Sequence, residues 1–278
     1  MSDAAGETDQ RALSELRTRI DAIDAEMHRL LITRGEVIDA LIKTKGTGRP
    51  GAAFRPAREA DMMRRIVGRH EGRLPLATVE HIWREIITTF TRLQAPFDVA
   101  IDTSVEPERM RDLARFVFGF SVPIHAVESA DAVVTAVAGK GETLGLVARA
   151  ARGAWWRGLI GEKKPRIMAL LPFIEIPDRP ANLPAFVVSP PLADATPLEI
   201  AVFATTVAGP MHDIEGTKIL AAVGNEFLIA ATSARDADRL SSDFREAGVK
   251  VEGISPVGGF ARGIALGSRS TFLYEAIG

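Results

Sequence analysis

Two cations, Arg34 and Lys45, interrupt the apolar stripe of a segment that otherwise has the pattern of an amphipathic helix. They are eleven residues apart, about three helical turns, so they share one helix face to within about 20°. Their Cα atoms would lie ~17 Å apart along the axis, leaving a gap for a small molecule once both side chains extend toward each other. Because an unpaired buried charge is strongly unfavourable, the pattern indicates an anion bound between them.

A purely structural role for these cations stays open on this helix alone. Arg34 is close enough in sequence to Glu26 and Glu36 to be neutralised by one of them, or by a carboxylate on another helix. Its long side chain can also bury its stem while the guanidinium reaches solvent.

Three further polar residues fall on the two helices predicted next along the chain. Arg58 and Glu59 lie in the first turn of one, and Gln94 continues the apolar stripe of the other, four residues after Phe90. Glu59 also suits a helix N-terminus through the helix dipole alone, and a lone glutamine at a helix end is commonly solvated. Together the residues give a set of cations, one carboxylate and one amide on three helices.

The helices that must position this set occupy the first third of the chain. The first runs from Arg11 to Lys45 without proline, which at ~1.5 Å per residue gives a length of about 52 Å. The second runs from about Ala57 to His70, and the third begins near Leu76 and ends before Pro96. A helix of that length needs partners along its stripe, and we expect a second chain to supply some of them. The stripe consists of Leu13, Leu16, Ile20, Ile23, Met27 and Leu30, and after Arg34 it resumes with Val37 and Leu41. The predicted apolar face of the third helix consists of Val79, Ile82, Trp83, Ile86, Ile87, Phe90 and Leu93.

After Pro96 the pattern changes to short apolar runs that alternate with helical segments, which predicts an α/β domain. The fold class is therefore multi-domain, α followed by α/β, with a helical domain over residues 11–96 and an α/β domain over 97–278. Ser129 is predicted to cap the helix that follows it, and another helix is predicted from Ser233 to Ala247. The predicted strands lie at residues 97–102, 122–128, 143–149, 166–176, 185–192, 199–207, 226–232, 249–257 and 271–277.

Composition excludes several classes of function. The 278 residues carry a net charge of −2 with no strongly basic stretch, so nucleic acid is not an expected partner. There is no cysteine, no apolar run approaches the ~20 residues that a membrane span needs, and the N-terminus lacks the pattern of a signal peptide. We therefore expect a soluble cytoplasmic protein. The five histidines are scattered, and no chemistry is assigned to them.

Residues 13–95 resemble the all-helical chorismate mutase family. That family carries Arg, Arg and Lys at spacings of 17 and 11 on its first helix, and this chain has Arg17, Arg34 and Lys45 at those spacings. An Arg-Glu pair follows, matched by Arg58 and Glu59, and then a Gln near the end of the third helix, matched by Gln94. The resemblance implies a three-helix domain, an intertwined homodimer with shared sites, and conversion of chorismate to prephenate in the biosynthesis of phenylalanine and tyrosine.

The resemblance also implies a role for each residue of the set. Arg34 binds a substrate carboxylate, Arg58 lines the site, and Lys45 contacts a carboxylate and the ether oxygen. Gln94 donates to the same oxygen, and Glu59 accepts from the ring hydroxyl. This pericyclic reaction needs conformational restraint and stabilisation of developing charge, and no cofactor or metal is expected.

Arg17 cannot serve the site of its own chain on geometric grounds. It lies ~34 Å along the helix from the midpoint of Arg34 and Lys45, which no side chain spans. It can serve the site of a second chain whose long helix packs alongside.

The chain departs from the family pattern at two positions near the site. Arg55 stands where the family usually has Asp, three residues before Arg58, and Phe90 stands where it often has Ser. Thr89 or Thr91 is a candidate to supply the missing hydroxyl. These changes affect the details of hydroxyl and carboxylate binding and leave the Arg, Lys and Gln frame in place.

Residues 97–278 faintly resemble the second half of bifunctional chorismate mutase–prephenate dehydratases. The Thr-Arg-Phe motif of that catalytic domain is missing, so dehydratase activity is not expected, and the end of the chain, from about residue 225, resembles an amino-acid-binding (ACT) module. This half is expected to support the dimer or to bind an effector such as an aromatic amino acid. A pair of tryptophans at 155 and 156 is expected in the core. Two alternative functions remain: an isochorismate pyruvate lyase, and a non-enzymatic dimer that senses a metabolite and keeps a vestigial site.

Overall fold

The computed structural model describes residues 3–45, 54–176, 179–192 and 199–266. The chain forms two compact units, residues 1–48 and residues 49–278. Within the described ranges the α-helices are α1 (Asp3–Lys45), α2 (Pro56–Arg69), α3 (Leu76–Gln94), α4 (Pro107–Phe118), α5 (Ala130–Lys140) and α6 (Ala237–Glu246).

Helix α1 begins earlier than predicted and ends at the predicted residue, Lys45. Its 43 residues give it a length of about 65 Å. From Leu13 to Leu30 the apolar stripe is exposed, with each of its six residues between 52% and 57% accessible in the single chain. An amphipathic helix normally buries such a stripe against a partner. In the single chain these six apolar side chains remain exposed to solvent, which is typical of an interaction surface.

Helices α2 and α3 form where the sequence predicts them and pack within the second unit. Pro56 starts α2 with a fixed φ and no amide to satisfy. Met63 and Ile66 on α2 join Ile87 on α3 and Phe173 in one buried apolar cluster. The side chain of Arg64 fixes α2 further, because its Nη2 donates to Oε2 of Glu199 and to the carbonyl of Arg262, both at 2.7 Å.

Only part of the predicted apolar face of α3 is buried: Ile87 is in the core, with Val79 and Trp83 packed against it. Ile82 and Leu93 belong to the predicted apolar face and are 40% and 65% exposed. A polar stripe of α3 is buried as well. Thr88 within this stripe and His81 beside it bond to backbone carbonyls of α4. The residues of this buried polar stripe are Glu80, Arg84, Thr88 and Thr91.

A nine-stranded mixed sheet runs through the second unit, in the order β2-β1-β3-β6-β4-β10-β7-β9-β8, beside a two-stranded pair, β5 and β11. The strands are β1 (Asp98–Asp102), β2 (Ile124–Val127), β3 (Thr143–Ala148), β4 (Arg166–Leu171), β5 (Ile174–Glu175), β6 (Ala185–Ser189), β7 (Ile200–Ala208), β8 (Thr217–Val223), β9 (Glu226–Thr232), β10 (Lys250–Phe260) and β11 (Ile264–Ala265).

One end of this sheet is parallel, with β1 paired to both β2 and β3. The crossover helices are α4 and α5, as the alternation of strand and helix predicts. The predicted cap of α5 is confirmed, since Oγ of Ser129 accepts from the amide of Ala132 at 3.1 Å. The predicted tryptophan pair is confirmed too: Trp155 and Trp156 are each 1% exposed in a short 3-10 helix and pack edge to face.

The other end of the sheet is antiparallel, and β10 joins it to the rest. This strand pairs antiparallel with β7 and parallel with β4, where Gly258 lies opposite Ile167. The sequence pattern does not predict strand β8. The predicted start of α6 at Ser233 is wrong: the helix begins at Ala237, because Asp236 caps it by accepting from the amide of Arg239 at 2.8 Å.

The fold class is confirmed as an N-terminal helical region followed by an α/β region. The predicted boundary at residue 96 does not coincide with the division of the single chain, which falls between residues 48 and 49 and groups α2 and α3 with the sheet. The predicted final strand at 271–277 lies outside the described residues, and the ACT-like character of the end remains a prediction. No helix in the described part of the chain is long and apolar enough to cross a membrane.

Candidate functional site

The three predicted cations of the first unit all lie on α1. Arg17 is exposed and Arg34 is half-buried. Lys45 is the last residue of the helix, and its side chain lies outside the described set. The unbroken helix from Arg17 to Lys45 confirms the local geometry on which their spacing argument depends: Arg34 and Lys45 share a face, and Arg17 is separated from them by several turns.

Arg58 and Glu59 lie in the first turn of α2, as predicted. Arg58 is exposed, whereas the side chain of Glu59 retains only 17% of its accessible surface. Its Oε2 accepts from Nη1 of Arg84 on α3 at 3.0 Å. Glu59 therefore has a specific cationic partner in addition to the favourable field of the helix N-terminus.

Arg84 belongs to a buried row of alternating charges. Its Nε lies 3.9 Å from Oε1 of Glu80, one turn earlier on α3. Glu80 in turn accepts two bonds from Arg179, at 2.9 Å from Nη2 and 3.2 Å from Nε. The Arg179 guanidinium also lies over the ring of Phe116, 4.4 Å from its centroid. The order Glu59, Arg84, Glu80, Arg179 alternates in sign, so each buried charge has an opposite neighbour.

A cavity of about 40 Å³ lies beside the Glu59–Arg84 pair. Its polar wall includes Thr88 and Thr91 of α3, and its apolar wall comes from the sheet and its flanking segments. The apolar lining includes Phe54, Phe97, Phe118, Met168, Leu170 and Phe173. Such a lining lowers the local dielectric response, which strengthens the interaction of the two charges beside it.

Burial raises the pKa of the Glu59 carboxyl, and the Arg84 guanidinium opposes this by favouring the charged form. The net direction is upward, so desolvation outweighs the single cation that faces the carboxylate. A carboxyl with a raised pKa beside a cavity is a recognised feature of functional sites.

Gln94 is half-buried at the end of α3, and its Nε2 donates to the carbonyl of Phe90 at 3.0 Å. An amide nitrogen carries two N–H groups, so one donor remains for a ligand. Of the two threonines that could replace the family's serine, Thr91 is buried and lines the cavity, while Thr89 is exposed. Arg55 is the residue before α2, where its carbonyl accepts the amide of Glu59 at 3.0 Å.

Sequence reasoning missed Arg84, Glu80 and Arg179. A signal for the first two was present: Glu80, Arg84, Thr88 and Thr91 recur at intervals of 4, 4 and 3, which is a continuous polar stripe on one helix face. Such a stripe commonly faces solvent, and only the packed structure shows it buried. Arg179 gives no local signal, because its partner lies 99 residues away.

Comparison with known proteins agrees with the resemblance of the helices to chorismate mutases. Residues 16–95 match the family model for chorismate mutase type II. A bifunctional chorismate mutase/prephenate dehydratase from Neisseria gonorrhoeae is 38% identical over 84 residues, 30% of this chain and 22% of that protein. Another from Pseudomonas aeruginosa is 32% identical over 96 residues, 33% of this chain and 26% of that protein. The matched region thus spans about a quarter of the length of these relatives.

A solved structure of prephenate dehydratase from Streptococcus mutans aligns with 60% of this chain and 98% of its own. The TM-score is 0.32 and the sequence identity 12%.

Proposed function

We propose that this protein is a chorismate mutase, converting chorismate to prephenate on the pathway to aromatic amino acids. The observation that carries the proposal is the match of residues 16–95 to chorismate mutase type II, a stretch that contains every residue of the predicted site. The two relatives, whose names include this activity, align over a similar length of chain.

In this proposal the polar groups restrain a dianionic substrate and stabilise charge on the breaking ether bond. Arg34 binds one carboxylate, and Lys45 contacts a carboxylate and the ether oxygen. Gln94 donates its second amide hydrogen to that oxygen, and Arg58 lines the site. Glu59 accepts a hydrogen bond from the ring hydroxyl, and its ionised form is the stronger acceptor.

We also propose a homodimer in which Arg17 of one chain serves the site of the other. The exposed stripe of α1 supports this, because six large apolar side chains along one helix face form a surface that a partner would cover. The distance of ~34 Å along the helix from Arg17 to the Arg34–Lys45 midpoint supports it independently. A monomeric mass by light scattering at micromolar concentration would contradict the dimer.

For residues 97–278 we propose a supporting or effector-binding role without prephenate dehydratase activity. The Thr-Arg-Phe motif expected of a dehydratase is absent from the sequence. The described part of this half packs against α2 and α3 through the cluster that includes Phe173 and Ile174, so it supports the helices that carry Glu59. Assays of the purified chain with prephenate, and with phenylalanine or tyrosine added to the mutase reaction, test both points.

The deciding experiment follows chorismate consumption and prephenate formation by the wild-type protein and by Lys45→Ala. We expect turnover in the wild type and a loss of at least about 100-fold in Lys45→Ala. Lys43→Ala, on the opposite face of α1, is the matched control and should retain wild-type turnover. Wild-type protein that is inert toward chorismate refutes the proposal.

The same preparation separates the alternative functions. Salicylate and pyruvate formed from isochorismate, with no prephenate formed from chorismate, identify a lyase. A measurable Kd for an aromatic amino acid without turnover of either substrate identifies a metabolite-sensing protein.

A further inference from the structure

Glu59 needs external positioning because a glutamate side chain has several rotatable bonds and this one lies beside a cavity. Its observed restraint comes from α3, where Nη1 of Arg84 contacts Oε2 of Glu59 at 3.0 Å. The Arg84 side chain is 6% exposed, so this contact is shielded from solvent and from screening by salt. A charge-assisted bond of this kind favours one carboxylate orientation.

Arg84 also faces Glu80, one turn earlier on the same helix, at a distance longer than a hydrogen bond. Glu80 lies 3.9 Å from its Nε, and Glu80 is bound by two nitrogens of Arg179. The side chains of Glu80 and Arg179 are each 1% exposed. Arg179 follows β5, so the row of charges connects α2 and α3 with a segment of the α/β region.

We propose that Arg84 is a positioning residue that orients the Glu59 carboxylate for substrate and favours its charged form, and that Glu80 and Arg179 fix Arg84 in that role. This inference rests on the proposed function, because it assigns Glu59 the acceptor role described above. In this role Arg84 acts through Glu59.

The charged groups around Glu59 determine how the loss of Arg84 would change the protonation of its carboxyl group. From α3 the carboxylate faces Arg84, with Glu80 behind it, and from the segment after β5 Arg179 neutralises Glu80. The sheet side contributes the apolar side chains Met168 and Leu170. Without Arg84, burial would act on Glu59 without its nearest compensating cation. The protonated form would then gain population, and it is a weaker hydrogen-bond acceptor than the carboxylate.

The first measurement needs no substrate: titration of the Glu59 carboxyl by ¹³C NMR of glutamate-labelled protein, assigned by loss of the signal in Glu59→Gln. Arg84→Met should titrate at higher pH than wild type, and Arg84→Lys should lie between the two. Arg65→Met, an exposed arginine on α2, is the control and should leave the titration unchanged.

The second measurement is the pH dependence of kcat/KM for chorismate. Arg84→Met should lower kcat/KM about 10- to 100-fold at neutral pH, with the loss mainly in kcat, and should move the acid limb of the profile to higher pH. In the Glu59→Gln background, adding Arg84→Met should have little further effect, because the residues act as one unit. A purely structural arginine would lower stability without moving the acid limb.

The outcomes separate this inference from the proposed function. Wild-type protein without mutase activity refutes the function, while the titration still decides whether Arg84 controls the ionisation of Glu59. Active wild type with an unchanged Glu59 titration in Arg84→Met, or additive losses in the double variant, overturns the positioning role. If circular dichroism shows that Arg84→Met does not fold, Arg84→Lys and Arg84→Gln provide the same comparison between retained and lost charge.

Discussion

Arg179 and Glu80 form a buried, two-point ion pair across 99 residues of sequence, with Nη2 of the arginine 2.9 Å from Oε1 of the glutamate. The contact joins α3, which carries Gln94, to the segment after β5. Each side chain is 1% exposed, so neither charge has water as an alternative partner. This buried ion pair therefore links helix α3, which lies in the stretch matched to chorismate mutase type II, to the α/β region.

Arg179→Met should destabilise the protein by about 3–5 kcal/mol, because it leaves the buried Glu80 without its main partner. The free energy of unfolding from urea denaturation measures this. Arg157→Met is the matched control, since Arg157 also binds a glutamate, Glu226, at 2.7 Å but is 68% exposed; its loss should leave the unfolding free energy unchanged. Equal effects of the two substitutions would contradict the importance of burial here.

Gly258→Ala should be severely destabilising, by about 3 kcal/mol or more. A Cβ at this position would lie 2.1 Å from the carbonyl oxygen of Ile167, and the backbone has a φ of 133°. Gly253→Ala in the same strand is the control: no atom lies within 4 Å of its Cβ position, and we expect a change within about 0.5 kcal/mol. Thermal unfolding of both variants checks the prediction, which fails if Gly258→Ala melts like wild type.

The stability of Glu59→Gln relative to that of wild type should increase as the pH rises above about 4, the ordinary pKa of a glutamate. Burial raises the pKa of Glu59 above its unfolded value, despite Arg84. Between the two pKa values the folded protein holds a proton that the unfolded chain has lost, so the wild-type free energy of unfolding falls with rising pH. Glu59→Gln lacks this loss. Urea denaturation at several pH values measures the free energy of unfolding of both proteins. An increase in the stability of wild type relative to Glu59→Gln with rising pH would contradict the prediction.

Mixing two inactive variants should restore mutase activity if the sites are shared between chains. Arg17→Ala and Lys45→Ala should each be inactive alone. In a heterodimer one site receives Lys45 from the first chain and Arg17 from the second, so complete subunit exchange should recover about a quarter of wild-type activity. Sites built from a single chain would give no recovery on mixing. Mixing Arg17→Ala with wild type controls for the exchange itself.

The local features of the fold are readable from the sequence because local chemistry determines them. Ser129 has the pattern of a cap and acts as one, and the alternation of strand and helix after Pro96 predicts β1 to β3 with α4 and α5. The predicted start of α6 is too early because Ser233 also suits a cap. The actual cap is Asp236.

Features that depend on distant partners are not readable in the same way. The sequence indicates the apolar face of α3 as its buried face, yet the single chain buries Glu80 and Arg84 and exposes Leu93. That arrangement requires Arg179, whose partner no local pattern reveals. The edge strand β8 escapes prediction because only one of its residues, Leu220, is buried, so it lacks the regular alternation of a half-buried strand.

Strand β10 lies between β4 and β7 in the sheet, and this position has a consequence for synthesis of the chain. Strands β4 and β7 both pair with it, but both emerge from the ribosome well before it does. At typical translation rates of about 5–20 residues per second, β4 and β7 each present an unpaired edge for several seconds. During that interval the nascent α/β region is exposed to edge-to-edge association with other chains, and insertion of β10 ends it.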